Sequence, residues 1–190
     1  MYQFDYKAPN SIEAAVAALR ENDESKLVAG GMTLLPTMKL RLARPQLLID
    51  INNIESLFGI SELEGSLVIG AMTRHADVAM SSIVRNLIPS LAHLAESIGD
   101  PQVRNRGTIG GSVANNDSAA DYPAGLVGLN ATVVTDRREI PADNFFTDMF
   151  ETALEVDEII TAVNIPIPKR AAYMKFPNPA SRYAVVGVMV

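Results

Sequence analysis

The residues best placed to do chemistry lie in two short stretches rich in glycine. Val28-Ala29-Gly30-Gly31-Met32-Thr33 is a short apolar run, a glycine pair, and then a hydroxyl residue opening a helix-like segment. The second stretch runs from Asp100 to Asn115 and carries Gly107-Thr108-Ile109-Gly110-Gly111-Ser112, three glycines within five residues, with Arg104 and Arg106 just upstream. Glycine accepts positive φ and lets a ligand approach the main chain without meeting a Cβ. Successive exposed backbone N–H groups then form a concavity for an anion, most often a phosphate. One such pair by itself reads as a tight turn. Two pairs in the same setting suit the two phosphates of a dinucleotide.

Composition removes most other chemistry. The 190 residues include no cysteine, which excludes disulfides, thiolate catalysis, iron–sulfur ligation and cysteine-based zinc sites together. If the protein moves electrons, an organic cofactor must carry them or a partner must hold the metal centres. His75 and His93 are the two imidazoles, in different segments, and read as surface or helix-packing residues. A net charge of −6 argues against a nucleic-acid binder, which normally carries a basic face. The apolar content, 48%, argues against disorder, and 190 residues can bury a core as one domain or two small ones. The stretch Met1 to Lys7 lacks the basic region and apolar core of a signal peptide. No apolar run is long enough to span a bilayer, so a soluble cytoplasmic protein is expected.

The elements that must hold these glycines are legible in outline. Asn10 and Glu13 have capping-box spacing, and Ile12, Ala15, Val16 and Leu19 follow the period of an amphipathic helix. Lys26 to Ala29 is a short strand feeding the first glycine pair. Thr33 to Leu42 reads as a helix with Pro36 in its first turn, and Leu47 to Ile51 as a buried strand. This strand–helix–strand order predicts a small parallel sheet with the glycines at a strand's carboxyl end, where open sheets bind ligands. The character changes near Leu57. Phe58 to Ser61 and Leu67 to Gly70 form a hairpin through Gly65. Thr73 caps a helix to Met80, and Pro89 to Ile98 is another, ended by Gly99. Beyond the second glycine stretch, Ser118 and Asp121 have capping-box spacing and open a helix to about Leu129. Strands are expected at Ala131 to Thr135, Ile159 to Ile165, Ala172 to Phe176 and Ala184 to Val190.

Both glycine stretches, in this order and with these surroundings, resemble the FAD-binding subunit of the molybdenum hydroxylases. That family includes the medium subunit of carbon monoxide dehydrogenase and the flavin domain of xanthine dehydrogenase. The resemblance runs from Phe4 to Val190 and is most specific over Val28 to Leu35, Asp100 to Pro123 and Lys175 to Val188. It implies an α+β protein with the two-subdomain FAD-binding fold of the vanillyl-alcohol-oxidase (PCMH) type. Residues 1–57 would be a small N-terminal βαβ subdomain, residues 58–171 a larger mixed α+β subdomain, and residues 172–190 the first strands of a C-terminal domain that the family continues.

The resemblance also implies a site. Leu27, Val28, Ala29, Gly30, Gly31, Met32, Thr33 and Leu34 match the segment that wraps the FAD diphosphate. Thr108, Ile109, Gly110, Gly111 and Ser112 supply the same kind of cradle from the second subdomain. Ile98 and Ile160, plain core residues by themselves, match positions that pack on the flavin. Asp121 has two readings, as the partner of a Ser118 cap or as an acceptor for ribityl or ribose hydroxyls. Lys175 alone is a surface lysine, and by resemblance a cation near the isoalloxazine. Arg104 and Arg106 read as interface or loop-bracing residues outside the site. No catalytic residue and no metal ligand is expected on this chain.

The function so implied is an oxidoreductase subunit that passes electrons from iron–sulfur clusters in a small partner subunit, through FAD, to an external acceptor. A large molybdopterin subunit would feed those clusters. The alternative is a non-redox flavin- or nucleotide-binding scaffold, or an inactive fragment, that docks partner subunits.

Overall fold

The computed structural model describes residues 1–190. The chain opens with β1 (Asp5–Lys7), α1 (Ile12–Arg20), β2 (Ser25–Val28), α2 (Leu34–Lys39) and β3 (Leu47–Asp50). The three strands form a parallel sheet in the order β1-β3-β2, so β3 is central and its Leu47, Leu48 and Ile49 are all buried. A strand covered on both faces has no use for alternation, which is why this run is uniformly apolar. Helix α1 buries Ala15, Val16, Ala18 and Leu19. Its cap is Ser11 rather than Asn10: Ser11 is extended, and its hydroxyl accepts from the Ala14 N–H at 3.2 Å. Helix α2 stops at Lys39, short of the expected Leu42, because Arg41 turns left-handed at φ 63°. The N–H groups of Arg41 and Leu42 close back onto Met38 and Thr37 at 3.1 and 3.0 Å, a helix ending of the Schellman kind.

The second unit holds β4 (Ile60–Leu63), β5 (Ser66–Gly70), α3 (His75–Met80), α4 (Ser82–Leu87), α5 (Pro89–Glu96), α6 (Pro101–Arg104), α7 (Ile109–Asn115) and α8 (Asp121–Gly128). It continues through β6 (Thr132–Thr135), β7 (Glu139–Pro141), α9 (Ala142–Phe145), β8 (Phe146–Asp148), β9 (Glu151–Thr152) and β10 (Ile160–Pro166). Five strands make an antiparallel sheet in the order β4-β5-β10-β6-β7. The β4–β5 turn places Glu64 and Gly65 at φ 51° and 78°, as a tight hairpin with right-handed strand twist requires. Leu67, Ile69, Val133, Val163 and Ile165 from the sheet meet Leu91, Leu94, Val113 and Leu126 from the helices in one core. Each such fully buried side chain contributes roughly 1.5–3 kcal/mol.

Two expected caps are placed differently. Thr73 does not cap α3; its hydroxyl donates to the Gly59 carbonyl at 3.1 Å, and Arg74 is the cap residue. Ser118 does not cap α8, which begins at Asp121 after Ala120, so Asp121 is not the partner of a Ser118 cap. The glycines of the second stretch do not form a loop either. Gly110 and Gly111 occupy the first turn of α7, capped by the Thr108 hydroxyl, and Gly107 lies just before that cap. The Thr73 hydroxyl and the Asp121 carboxylate are instead taken by tertiary partners, Gly59 for the first and Tyr173 and Lys175 for the second.

The chain ends in a hairpin of β11 (Tyr173–Pro177) and β12 (Ala184–Met189), which form their own two-stranded sheet. Tyr173 and Met189 point into the main core. Met174, Phe176, Val186 and Val188 share the opposite, exposed face. No helix is long and apolar enough to cross a membrane.

Candidate cofactor-binding site

The two glycine segments meet at a cleft of about 710 Å³ between the two sheets, within the roughly 300–1,000 Å³ range of small-molecule and cofactor sites. Their backbones touch. A β-carbon on Gly30 would lie 2.0 Å from the Arg106 carbonyl oxygen and 2.9 Å from the Gly107 Cα. Glycine at position 30 is therefore required by the approach of one segment to the other. Gly31 is needed for its left-handed backbone at φ 74°.

The backbone donors of the two segments have different fates. In the first, the N–H groups of Ala29, Gly30, Gly31, Met32 and Thr33 have no acceptor anywhere in the chain, and all five residues line the cleft. In the second, the Ile109 N–H donates to Thr73 O at 3.0 Å and the Gly110 N–H to Ala71 O at 2.8 Å. The Gly111 N–H goes to the Thr108 hydroxyl at 3.2 Å, and that of Ser112 to Thr108 O at 3.0 Å. The two segments are thus not equivalent cradles. The first presents a row of free donors; the second braces it and offers the Ser112 hydroxyl and the Thr108 N–H.

Every residue expected in the site lines the cleft except Ile109 and Lys175. Ile109 is fully buried in the main core. Lys175 stands behind the wall, where its ammonium donates to Asp121 at 2.9 Å and to the Ser97 carbonyl at 3.1 Å. Asp121 also accepts from the Tyr173 hydroxyl at 2.5 Å. Burial, the hydrogen bond to Asp121 and its charge all push the Tyr173 phenol well above its ordinary value. The Lys175 charge is thus neutralised by Asp121 in a buried pair (6% and 5% exposed). The pair fixes the β11–β12 hairpin to the start of α8 and the end of α5. Ile98 and Ile160 are in the wall. Arg104 is a loop brace, donating to the carbonyls of Ile98 and Gly99 at 2.9 and 3.3 Å.

Other wall residues carried little signal in the sequence. Leu154, Glu155, Val156 and Glu158 line one side and Ser181, Arg182 and Tyr183 another. His75, expected as a surface or helix-packing residue, is a buried wall residue whose ring lies 5.4 Å from the Tyr122 ring, tilted against it by 43°. Burial and the Arg104 charge lower its pKa to about 4, so it is neutral near pH 7. The lining acids are Asp23, Asp100, Asp117, Asp121, Glu155 and Glu158, against Lys26 and Arg182 as the lysine and arginine. An anionic ligand here finds few cations. The row of unbonded N–H groups is the feature that can take a diphosphate, and the residues present fit one.

This α+β arrangement, with a dinucleotide-sized cleft and a backbone cradle at the end of a parallel strand, is that of a protein that binds a nucleotide cofactor. Residues 2–168 match the family described as the FAD binding domain in molybdopterin dehydrogenase. The medium chain of carbon monoxide dehydrogenase from Hydrogenophaga pseudoflava is 43% identical over 196 residues, covering 99% of this chain and 68% of that one. The medium subunit of nicotine 6-hydroxylase from Paenarthrobacter nicotinovorans is 40% identical, with 97% and 67% covered. Among solved structures, quinoline 2-oxidoreductase from Pseudomonas putida 86 superposes with a TM-score of 0.95 at 32% identity, covering 99% of this chain and 68% of that chain. The chain belongs to the FAD-binding family of the molybdopterin dehydrogenases, and its cofactor is FAD. It spans about two thirds of the length of these relatives.

Proposed function

We propose that the chain is the electron-transferring flavin subunit of a molybdenum-containing hydroxylase or dehydrogenase. Electrons reach it from iron–sulfur clusters on a small partner subunit, themselves fed by a large molybdopterin subunit, and leave to an external acceptor. The observation that carries this reading is the run of five unbonded N–H groups, Ala29 to Thr33, at the cleft of a family member without cysteine. FAD supplies the redox chemistry; the protein supplies binding and orientation.

Each part of the cleft has a role in that reading. Ala29, Gly30, Gly31, Met32 and Thr33 hold the diphosphate through their main chain. Thr108, Gly110, Gly111 and Ser112 form the opposing wall, and Leu27, Val28 and Leu34 shape the near one. Ile98 and Ile160 exclude water from apolar parts of the cofactor. Asp121 has both oxygens engaged by Tyr173 and Lys175, leaving further lone pairs for sugar hydroxyls. Ile109 and Lys175 act from behind the wall. The division into residues 1–57, 58–171 and 172–190 follows the same reading. It is supported by separate cores around Ile49 and around Ile69, and by the separate β11–β12 sheet. Ile159 and Met72 nevertheless join the first core, tying the subdomains together. The proposed compartment is the cytoplasm.

The test is co-expression with a cysteine-rich ferredoxin-like subunit and a molybdopterin subunit encoded beside it. The reading expects a yellow complex whose flavin is bleached by substrate without oxygen. A folded, FAD-loaded chain that ignores both partners would contradict it.

A further inference from the structure

The cleft's free donors are aimed by a group that lies outside it. At the carboxyl end of β3, Asp50 accepts at one oxygen from the Asn52 N–H and side-chain amide, at 2.9 and 2.6 Å. Its other oxygen accepts from the Tyr6 hydroxyl at 2.6 Å. The same Asn52 amide nitrogen donates to the Ala29 carbonyl at 3.0 Å. A trans peptide is planar, with its C=O and N–H pointing in opposite directions. Holding the Ala29 oxygen toward Asn52 therefore fixes the Gly30 N–H on the other side of that peptide plane. The Gly30 backbone is in turn pressed against the Arg106 carbonyl, so the peptide is clamped from two directions.

We propose that Asn52, oriented by Asp50 and Tyr6, is the positioning residue of the phosphate cradle. It sets the direction of the Gly30 donor without touching the cofactor. This rests on the flavin-binding reading of the cleft. Burial tends to raise the Asp50 carboxyl, but the hydrogen bonds from Tyr6 and Asn52 and the nearby Arg106 charge outweigh it and hold the group below its ordinary value. Asp50 thus stays an ionised acceptor at neutral pH, and the Asn52 amide is kept with its nitrogen toward Ala29. An isolated loop with free donors samples several peptide orientations. A cradle whose first peptide is fixed has already lost that freedom before the ligand arrives.

The experiment is titration of FAD and of ADP into the apo chain, wild type and Asn52→Ala, with apo melting temperatures and amide spectra recorded beside them. Loss of one orienting hydrogen bond is expected to weaken both ligands by the same factor, about three- to tenfold. The Gly30 amide resonance should move in the apo variant while those of Ile109 and Gly110 stay in place. FAD affinity equal to wild type overturns the proposal. So does a loss confined to FAD with ADP unchanged, since the defect would then lie at the flavin end. If Asn52→Ala lowers the apo melting temperature, Tyr6→Phe decides instead. It removes one hydroxyl from the far side of Asp50 and should give a smaller loss of both ligands, and no loss overturns the idea. A wild-type chain that binds neither ligand would overturn the flavin reading itself, which separates the two failures.

Discussion

Replacing Gly30 by alanine tests the contact between the two glycine segments with one carbon atom. The added β-carbon would lie 2.0 Å from Arg106 O, 2.7 Å from Arg106 C and 2.9 Å from Gly107 Cα, all main-chain atoms. Ordinary contact begins near 3.4 Å, so the segments must part by about 1.4 Å. No side-chain rotation can absorb that shift. Overpacking of this kind costs about 1–3 kcal/mol, which is about five- to a hundredfold if it falls on binding. Isothermal titration of FAD into the apo variant, with urea unfolding of the same sample, separates binding loss from stability loss. The sum of the two should reach at least about 1 kcal/mol. Gly111→Ala is the control. Its β-carbon would meet the Thr108 hydroxyl at 3.0 Å and Ala29 Cβ at 3.8 Å, and a helical Gly→Ala change gains up to about 1 kcal/mol of propensity. It should fold as well as wild type. Gly30→Ala with wild-type FAD affinity and wild-type stability would refute the close-approach argument.

Other outcomes follow from the same geometry. Gly110→Val should unfold the protein rather than merely empty the cleft, because the new β-carbon would sit 2.6 Å from Ala71 Cβ and 2.8 Å from Ala71 O; circular dichroism checks this. Lys175→Met leaves buried Asp121 with Tyr173 alone and should cost about 3–5 kcal/mol of stability in denaturant melts. Acidification should weaken the fold before most carboxylates titrate. His75 has its pKa lowered from 6.5 to about 4, so its neutral form is favoured by folding. That stability is fully present above pH 6.5 and is lost as pH falls through about 4, a total of about 3 kcal/mol. Urea midpoints between pH 7 and 4 should fall less steeply in His75→Gln than in wild type, and parallel curves would exclude His75 as the source.

The longer strands and helices are legible in the sequence because their signals are local, whereas the short elements β1, β7, β8, β9, α4 and α6 carry too few residues to show a period. The apolar run Leu47 to Ile51 and the Glu64-Gly65 turn carry their own structure, and β10 appears almost as expected. What local spacing could not reveal is where a polar group spends its hydrogen bonds. Ser118 and Asp121 have the spacing of a cap, yet Asp121 is taken by Tyr173, 52 residues away. The second glycine stretch looks like the first, but its donors are consumed by Ala71 and Thr73 from a segment more than thirty residues earlier. Gly30 is glycine because of Arg106, a partner invisible in any window around it. The glycines mark the site in the sequence, while the roles within it are set by tertiary contacts.

The central claim, that FAD is held by the main chain of Ala29 to Thr33, is tested most directly by amide hydrogen exchange on the ¹⁵N-labelled protein with and without FAD. These five amides have no acceptor in the chain alone and should exchange rapidly without cofactor. With FAD bound, several of them should become protected and shift strongly. The Ile109 and Gly110 amides, already bonded to Thr73 and Ala71, should be protected in both states. FAD binding that leaves the exchange of Ala29 to Thr33 unchanged would contradict the account.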